Sequence, residues 1–102
     1  MKIKIGEVYA TKGVNADAEE NKEFKEFINV SINRHINRDF GEMEIEDIEA
    51  NNDAIKYGSR IFSSYKINEN LKNENDKLWI ITEAENENKE REYTTILYPK
   101  EY

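Results

Sequence analysis

Apolar residues recur along this chain with two periods, and the places where the period changes mark its elements. The opening stretch "MKIKIGEVYATKGV" alternates, with Ile3 and Ile5 on one face and Lys2, Lys4, Gly6 and Val8 on the other. Alternation among β-branched residues predicts a strand, closed by the turn-like "TKG" at 11–13. In "NADAEENKEFKEFINVSINRHINRDFG" the spacing changes to three and four, so that Phe24, Phe27, Ile28, Ile32, His35 and Ile36 form a stripe. This predicts a helix over 17–36, capped at Asn15 or Asp17, with Arg34 and Arg38 near its C-terminal dipole. The segment "EIEDIEANNDAIKYG" predicts a second helix over 45–57. It carries Ile48, Asn52 and Ile55 on one side and stops at Gly58.

Three strands follow, in "SRIFSSYKI", "KLWIITEA" and "EYTTILYP". The polar connectors "NENLKNEND" and "ENENKERE" are predicted to be exposed, mobile hairpin loops, the second replaceable by a tight Asn-Gly turn. Leu78, Ile80 and Thr82 alternate with Trp79 and Ile81, and both faces carry large groups. That places the last hairpin in the middle of the sheet, with Trp79 largely buried. Pro99 has no N–H to donate and ends the ladder. The order β-α-α-β-β-β implies an α+β fold, with two helices packed on one face of an antiparallel sheet and a single domain over 1–102.

Composition narrows the possible jobs. The chain has 102 residues, 37% of them hydrophobic and 36% charged, with a net charge of −7. Such a balance leans toward disorder, but the apolar residues gather in periodic segments, which argues for a folded domain. Without cysteine there is no disulfide, thiolate metal site or cysteine nucleophile. The N-terminal stretch lacks the apolar core of a signal peptide, and no run approaches the roughly 20 apolar residues of a membrane helix. A cytoplasmic location is the expectation, with no membrane contact. A pI near 4.8 disfavours direct binding to nucleic acid and favours contact with a basic protein surface.

Candidate chemistry is sparse. His35 is the lone histidine and precedes Asp39 by four residues, a spacing that suits a general base with an orienting acid. The plainer reading of His35 is a helix-end histidine beside the C-terminal dipole. No nucleophile-elbow motif surrounds Ser63 or Ser64. There is no calcium loop and no glycine-rich phosphate cradle, and "GEMEIEDIE" offers a hard cation only a weak site, so no cofactor or metal is expected. Phe62, Tyr65, Trp79, Tyr93, Tyr98 and Tyr102 would stack bases if Lys and Arg surrounded them. Their neighbours are mostly Glu and Asn, so they are read as core. The most unusual feature is acidic: Glu42, Glu44, Glu46, Asp47, Glu49 and Asp53 run without an intervening Lys or Arg. On a helix over 45–57, Glu46, Glu49 and Asp53 form an exposed stripe suited to a basic partner.

Three segments together, "EFKEFINVSINRHINRDFGE", "NDAIKYGSRIFSSYK" and "KLWIITEAE…TTILYPKEY", resemble a family of short bacterial proteins carried by plasmids and other mobile elements. Members typically read R-H-x-x-G-D-W-G-E in the middle and W-I-I-T-E-A-D-R-S-x-T-T-I-L-x-P-E-E-Y at the end. The counterparts here are Arg34, His35, Asp39, Phe40, Gly41 and Glu42, then Trp79 to Ala84 and Thr94 to Tyr102. Phe40 stands in place of Trp, and "ENENKEREY" lengthens the last hairpin loop. The resemblance implies a domain type and a mobile-element setting, and no catalytic role. Two functions are therefore expected in competition. One is a non-enzymatic binding protein that occupies a basic site on a host restriction or CRISPR nuclease. The other is a small hydrolase or ribonuclease of RelE-like topology using His35 and Asp39.

Overall fold

A computed structural model describes residues 2–102. The elements run β1 (Glu7–Ala10), α1 (Lys12–Glu20), α2 (Lys22–Ile36), α3 (Ile45–Tyr57), β2 (Ile61–Lys66), β3 (Lys77–Thr82) and β4 (Tyr93–Leu97), closed by a 3-10 turn at Pro99–Glu101. The class is α+β as expected, and α3 and the last three strands fall where their patterns put them. Three details differ.

The first is the helix expected over 17–36, which is two helices. Thr11 caps α1 by accepting from the Val14 N–H, so "TKG" opens a helix instead of making a turn. Asn21 sits in extended backbone, and its Oδ1 accepts from the Glu23 and Phe24 N–H groups to start α2. A side chain that competes for backbone donors breaks a helix as readily as it starts one. Secondly, β1 begins later than the Ile3/Ile5 alternation suggests. Gly6 takes φ +63 with its Cα against the Arg91 and Glu92 carbonyls, where a Cβ would lie 2.4 Å from either oxygen. Ile3 leaves the sheet to pack with Phe40, Ala54 and Ile61. Finally, β1 pairs parallel with β4, Glu7 opposite Tyr93, so the sheet is mixed, in the order β1-β4-β3-β2.

One face of the sheet presents Val8 and Ala10, Thr94 and Ile96, Ile80 and Thr82, and Ile61, Ser63 and Tyr65. The α1 and α2 helices pack on it, and Val14, Phe24, Ile28, Tyr65, Leu78, Ile80, Ile96 and Tyr98 form the main core. The opposite face is partly covered: Ile81 and Leu97 are buried on it, and residues of α3 border Phe62 and Trp79. It presents Phe62, Trp79, Ile81, Thr95, Leu97, Tyr9 and Tyr93. Trp79 lies there on the central strand β3, only half-buried, between Phe62 and Tyr102. Trp79→Ala should therefore cost about 2 kcal/mol, less than the roughly 3–5 typical of a fully buried ring. Thermal unfolding of the variant checks this, and a loss at the fully buried level would mean that the face is covered.

The connectors are organised. Arg91 donates from its guanidinium to the Ser59, Glu83 and Ala54 carbonyls, tying the last hairpin to the end of α3. Replacing "ENENKERE" by Asn-Gly would remove that tie, so the loop is not free to shorten. In the other connector, Asn73 donates to Asp17, whose carboxylate also takes the Tyr98 hydroxyl at 2.5 Å. Glu101 accepts from the Thr11 hydroxyl, the Gly13 N–H and the Tyr98 N–H, fixing the chain's end to the start of α1. Burial opposes the charge on Glu101, yet these three donors hold its carboxyl below the usual range.

Candidate functional site

The acidic run is built by the end of the α2–α3 connection and the first turns of α3. Helix α3 turns Asn51 and Ala54 inward, with Ile48 and Ile55 partly covered, because the apolar positions recur at three and four. Asn52, placed with the apolar side by sequence spacing, is exposed instead and accepts from Arg38. Glu42, Glu44, Glu46, Asp47, Glu49 and Asp53 are all exposed. Two ion pairs form among the described residues, Arg34–Asp39 and Lys100–Glu74, and none of the six acids belongs to either. Glu42 also braces the sheet, because its carboxylate accepts from the Lys66 N–H at 3.1 Å.

Strand β2 lies at the sheet edge, and α3 and its lead-in close it. The Asn51 amide pairs with both polar groups of Phe62: Nδ2 donates to the Phe62 carbonyl at 2.6 Å, and the Phe62 N–H donates to Oδ1 at 3.0 Å. The Ser64 N–H donates to the Phe40 carbonyl and the Ser64 carbonyl accepts from the Glu42 N–H. This close approach needs Gly41, at φ +82, where a Cβ would meet the Ser64 carbonyl at 2.0 Å. The result is a shallow groove between α3 and the sheet face that carries Phe62 and Trp79. Glu44 and Asp47 line it together with Phe62, Trp79, Arg60 and Lys77. The Phe62 and Trp79 rings are 4.8 Å apart, Tyr102 meets Trp79 edge-on at 5.9 Å, and the Arg60 guanidinium lies over Tyr102. Of the six aromatics read as core, only Tyr65 and Tyr98 are; Tyr93 and Tyr102 are exposed, and Phe62 and Trp79 are half-covered.

His35 and Asp39 do not form a pair. Asp39 bonds the Arg34 guanidinium at 2.7 and 3.1 Å and the Gly41 N–H, and the Arg34 bonds, the larger cause, hold its carboxyl below its usual pKa. His35 lies in the last turn of α2, as its plainer reading has it, and is fully buried. Its Nδ1 lies 2.5 Å from the Ser63 Oγ and its Nε2 2.8 Å from the Thr82 Oγ1, which is 2.7 Å from the Thr94 Oγ1. The Thr94 hydroxyl donates to the Ile5 carbonyl. That last bond sets the direction of the bonds from Thr94 to Nε2. With its proton on Ile5, Thr94 must accept from Thr82; Thr82 must then accept from Nε2–H, and in the neutral ring Nδ1 accepts from Ser63. Burial disfavours the imidazolium, so His35 is neutral at neutral pH and carries its proton on Nε2. Burial lowers its pKa from 6.5 to about 4, with the Arg91 charge adding to the effect.

A serine hydroxyl donating to an imidazole is the pairing that activates a nucleophile. Here Ser63, His35 and Thr82 have no accessible surface, so no substrate reaches the hydroxyl in this conformation. The pair joins α2 to β2 and β3 and holds the N-terminal segment through Ile5. Among the described residues no three carboxylate or imidazole groups converge at metal-binding spacing, and no helix is long and apolar enough to cross a membrane. No protein-family model, curated protein or solved structure matches the chain. Function is accordingly read from the exposed surface.

Proposed function

We propose that this chain is a non-enzymatic binding protein of a mobile genetic element. It docks its acidic α3 surface on a basic groove of a host protein, of the kind a restriction or CRISPR nuclease offers to nucleic acid phosphates. One observation carries the reading: six exposed carboxylates, without ion-pair partners among the described residues, lie along α3 and its lead-in, beside the half-covered Phe62–Trp79 pair. Unpaired surface charge steers association with an oppositely charged partner, and a neighbouring aromatic pair supplies the desolvated contact that charge alone does not. The mobile-element setting rests on the resemblance in sequence. It gains support from Arg38, which takes φ +66 at the position that the family's R-H-x-x-G-D-W-G-E motif gives to glycine. Left-handed backbone is the conformation glycine favours.

Reversing Glu46, Glu49 and Asp53 to Lys moves the net charge from −7 by six units to −1. Stability should change by only tenths of a kcal/mol per site, because the three side chains are exposed. Affinity capture from bacterial lysate with the parent and the triple variant tests the reading. A nucleic-acid-binding protein should be held by the parent at low salt, displaced by duplex DNA or RNA, and lost with the variant. Capture of the same proteins by both chains would overturn it.

A further inference from the structure

We propose that a second copy of this chain pairs antiparallel along the outer edge of β1, giving a continuous eight-stranded sheet. The two edges of the four-stranded sheet are treated differently. The β2 edge is closed by the Asn51 amide, the Phe40 carbonyl and Glu42. Among the described residues no element pairs with the outer edge of β1, whose ladder is with β4. Along that parallel ladder Glu7 and Thr11 donate inward, to the Glu92 and Ile96 carbonyls. Alternation therefore turns the N–H and C=O groups of Val8 and Ala10 outward. All four residues of β1 are exposed, and exposed unpaired edges are what folded proteins ordinarily blunt.

The side chains around this edge suit a copy of itself. A two-fold axis perpendicular to the sheet requires paired residues to lie on the same face. Pairing Val8 with Ala10 of the second copy meets that condition and uses only the outward-facing backbone groups. It sets Tyr9 opposite Tyr9 of the second copy at a close, non-hydrogen-bonded position. There it extends the Tyr9–Tyr93 edge-on contact, at 6.0 Å, into an aromatic row across the joint. On the other face, Val8 and Ala10 rim an apolar groove that runs to Ile28 and Ile32 of α2. A neighbouring strand's apolar side chains would cover it.

Charge leaves this edge open to a second copy. Two chains of net charge −7 repel wherever their acidic surfaces meet. Here the acidic run borders β2, at the far end of the strand order from β1. The groove beside the β1 edge carries Lys25 as its one charged residue, while Glu7, Glu90, Arg91 and Glu92 line the other face beside Tyr9, so both signs of charge border this edge. Joining β1 to β1 places the two acidic surfaces at opposite ends of the assembly, beyond the range over which salt leaves such charges in contact. It also leaves both α3 surfaces free.

Sedimentation velocity across a wide concentration range tests the pairing. The parent should pass from 12.1 kDa toward twice that mass as concentration rises. Val8→Lys, a charge on an exposed edge, should hold the chain at the monomer mass. The Glu46/Glu49/Asp53→Lys variant should associate as the parent does, which separates this edge from the partner-binding surface. Amide exchange gives a second readout: Val8 and Ala10 should gain protection with concentration while Phe62, already bonded to Asn51, should not. A parent that stays monomeric at the highest concentration, or one whose Val8 and Ala10 amides exchange equally fast throughout, overturns the proposal.

Discussion

Asn51→Ala should lower stability by about 2–4 kcal/mol, because it strands two backbone groups rather than one. The Asn51 amide is the partner that the β2 edge offers to the Phe62 N–H and carbonyl, and the side chain is 4% exposed. Asn51→Asp separates the two bonds. The carboxylate still accepts from the Phe62 N–H, but it has no hydrogen to give the carbonyl and sets two oxygens against each other. Asp should therefore fall well short of the parent at neutral pH and recover part of the loss when acidified enough to protonate. Urea titrations of the three chains provide the measurement. Equal stability in all of them would show that water replaces the amide without cost, leaving the edge open.

The second large effect depends on pH. The folded state lowers the His35 pKa from 6.5 to about 4, so the unfolded chain takes up a proton that the folded one resists. Stability is therefore full above pH 6.5 and declines as pH falls through the interval down to about 4. At about 1.4 kcal/mol per unit, the whole decline amounts to about 3 kcal/mol, of which about 2 should be gone by about pH 5. Most carboxylates titrate below that point, so the window between about 6.5 and 5 belongs chiefly to the imidazole. His35→Gln keeps a polar group among Ser63 and Thr82 but cannot take the charge. Its stability should be nearly flat across the same window. Parallel slopes for parent and variant would place the proton uptake elsewhere.

Legibility in the sequence followed the range of the interaction. Helix α3 was readable because Ile48, Ile55 and Gly58 state its face and its end within 13 residues. The exposed acids were readable for the same reason. The break at Asn21 was not, since the side chain suits a helix surface equally well until its own backbone donors are counted. The parallel pairing of β1 with β4 joins residues more than eighty apart, and no local period encodes it. The partners of His35 were missed by the same blindness. The spacing to Asp39 is local and suggested a pair, whereas its actual partners, Ser63 and Thr82, lie 28 and 47 residues away. Only the polar Thr82 and Thr94, on the otherwise apolar face of their strands, hinted that something buried needed a hydrogen bond.

The parallel β1–β4 ladder also constrains how the protein is made. Its first strand has no sheet partner until residues 93–96 exist, and the start of α1 lacks its Glu101 contacts until the last turn forms. While the chain is still emerging from the ribosome, α2, α3 and the β2–β3 hairpin can assemble, but β1 must wait with its edges bare. Closure must therefore wait until residues 93–101 have emerged, and contacts of such long sequence separation form slowly. During that delay both edges of the β1 segment lack a strand partner.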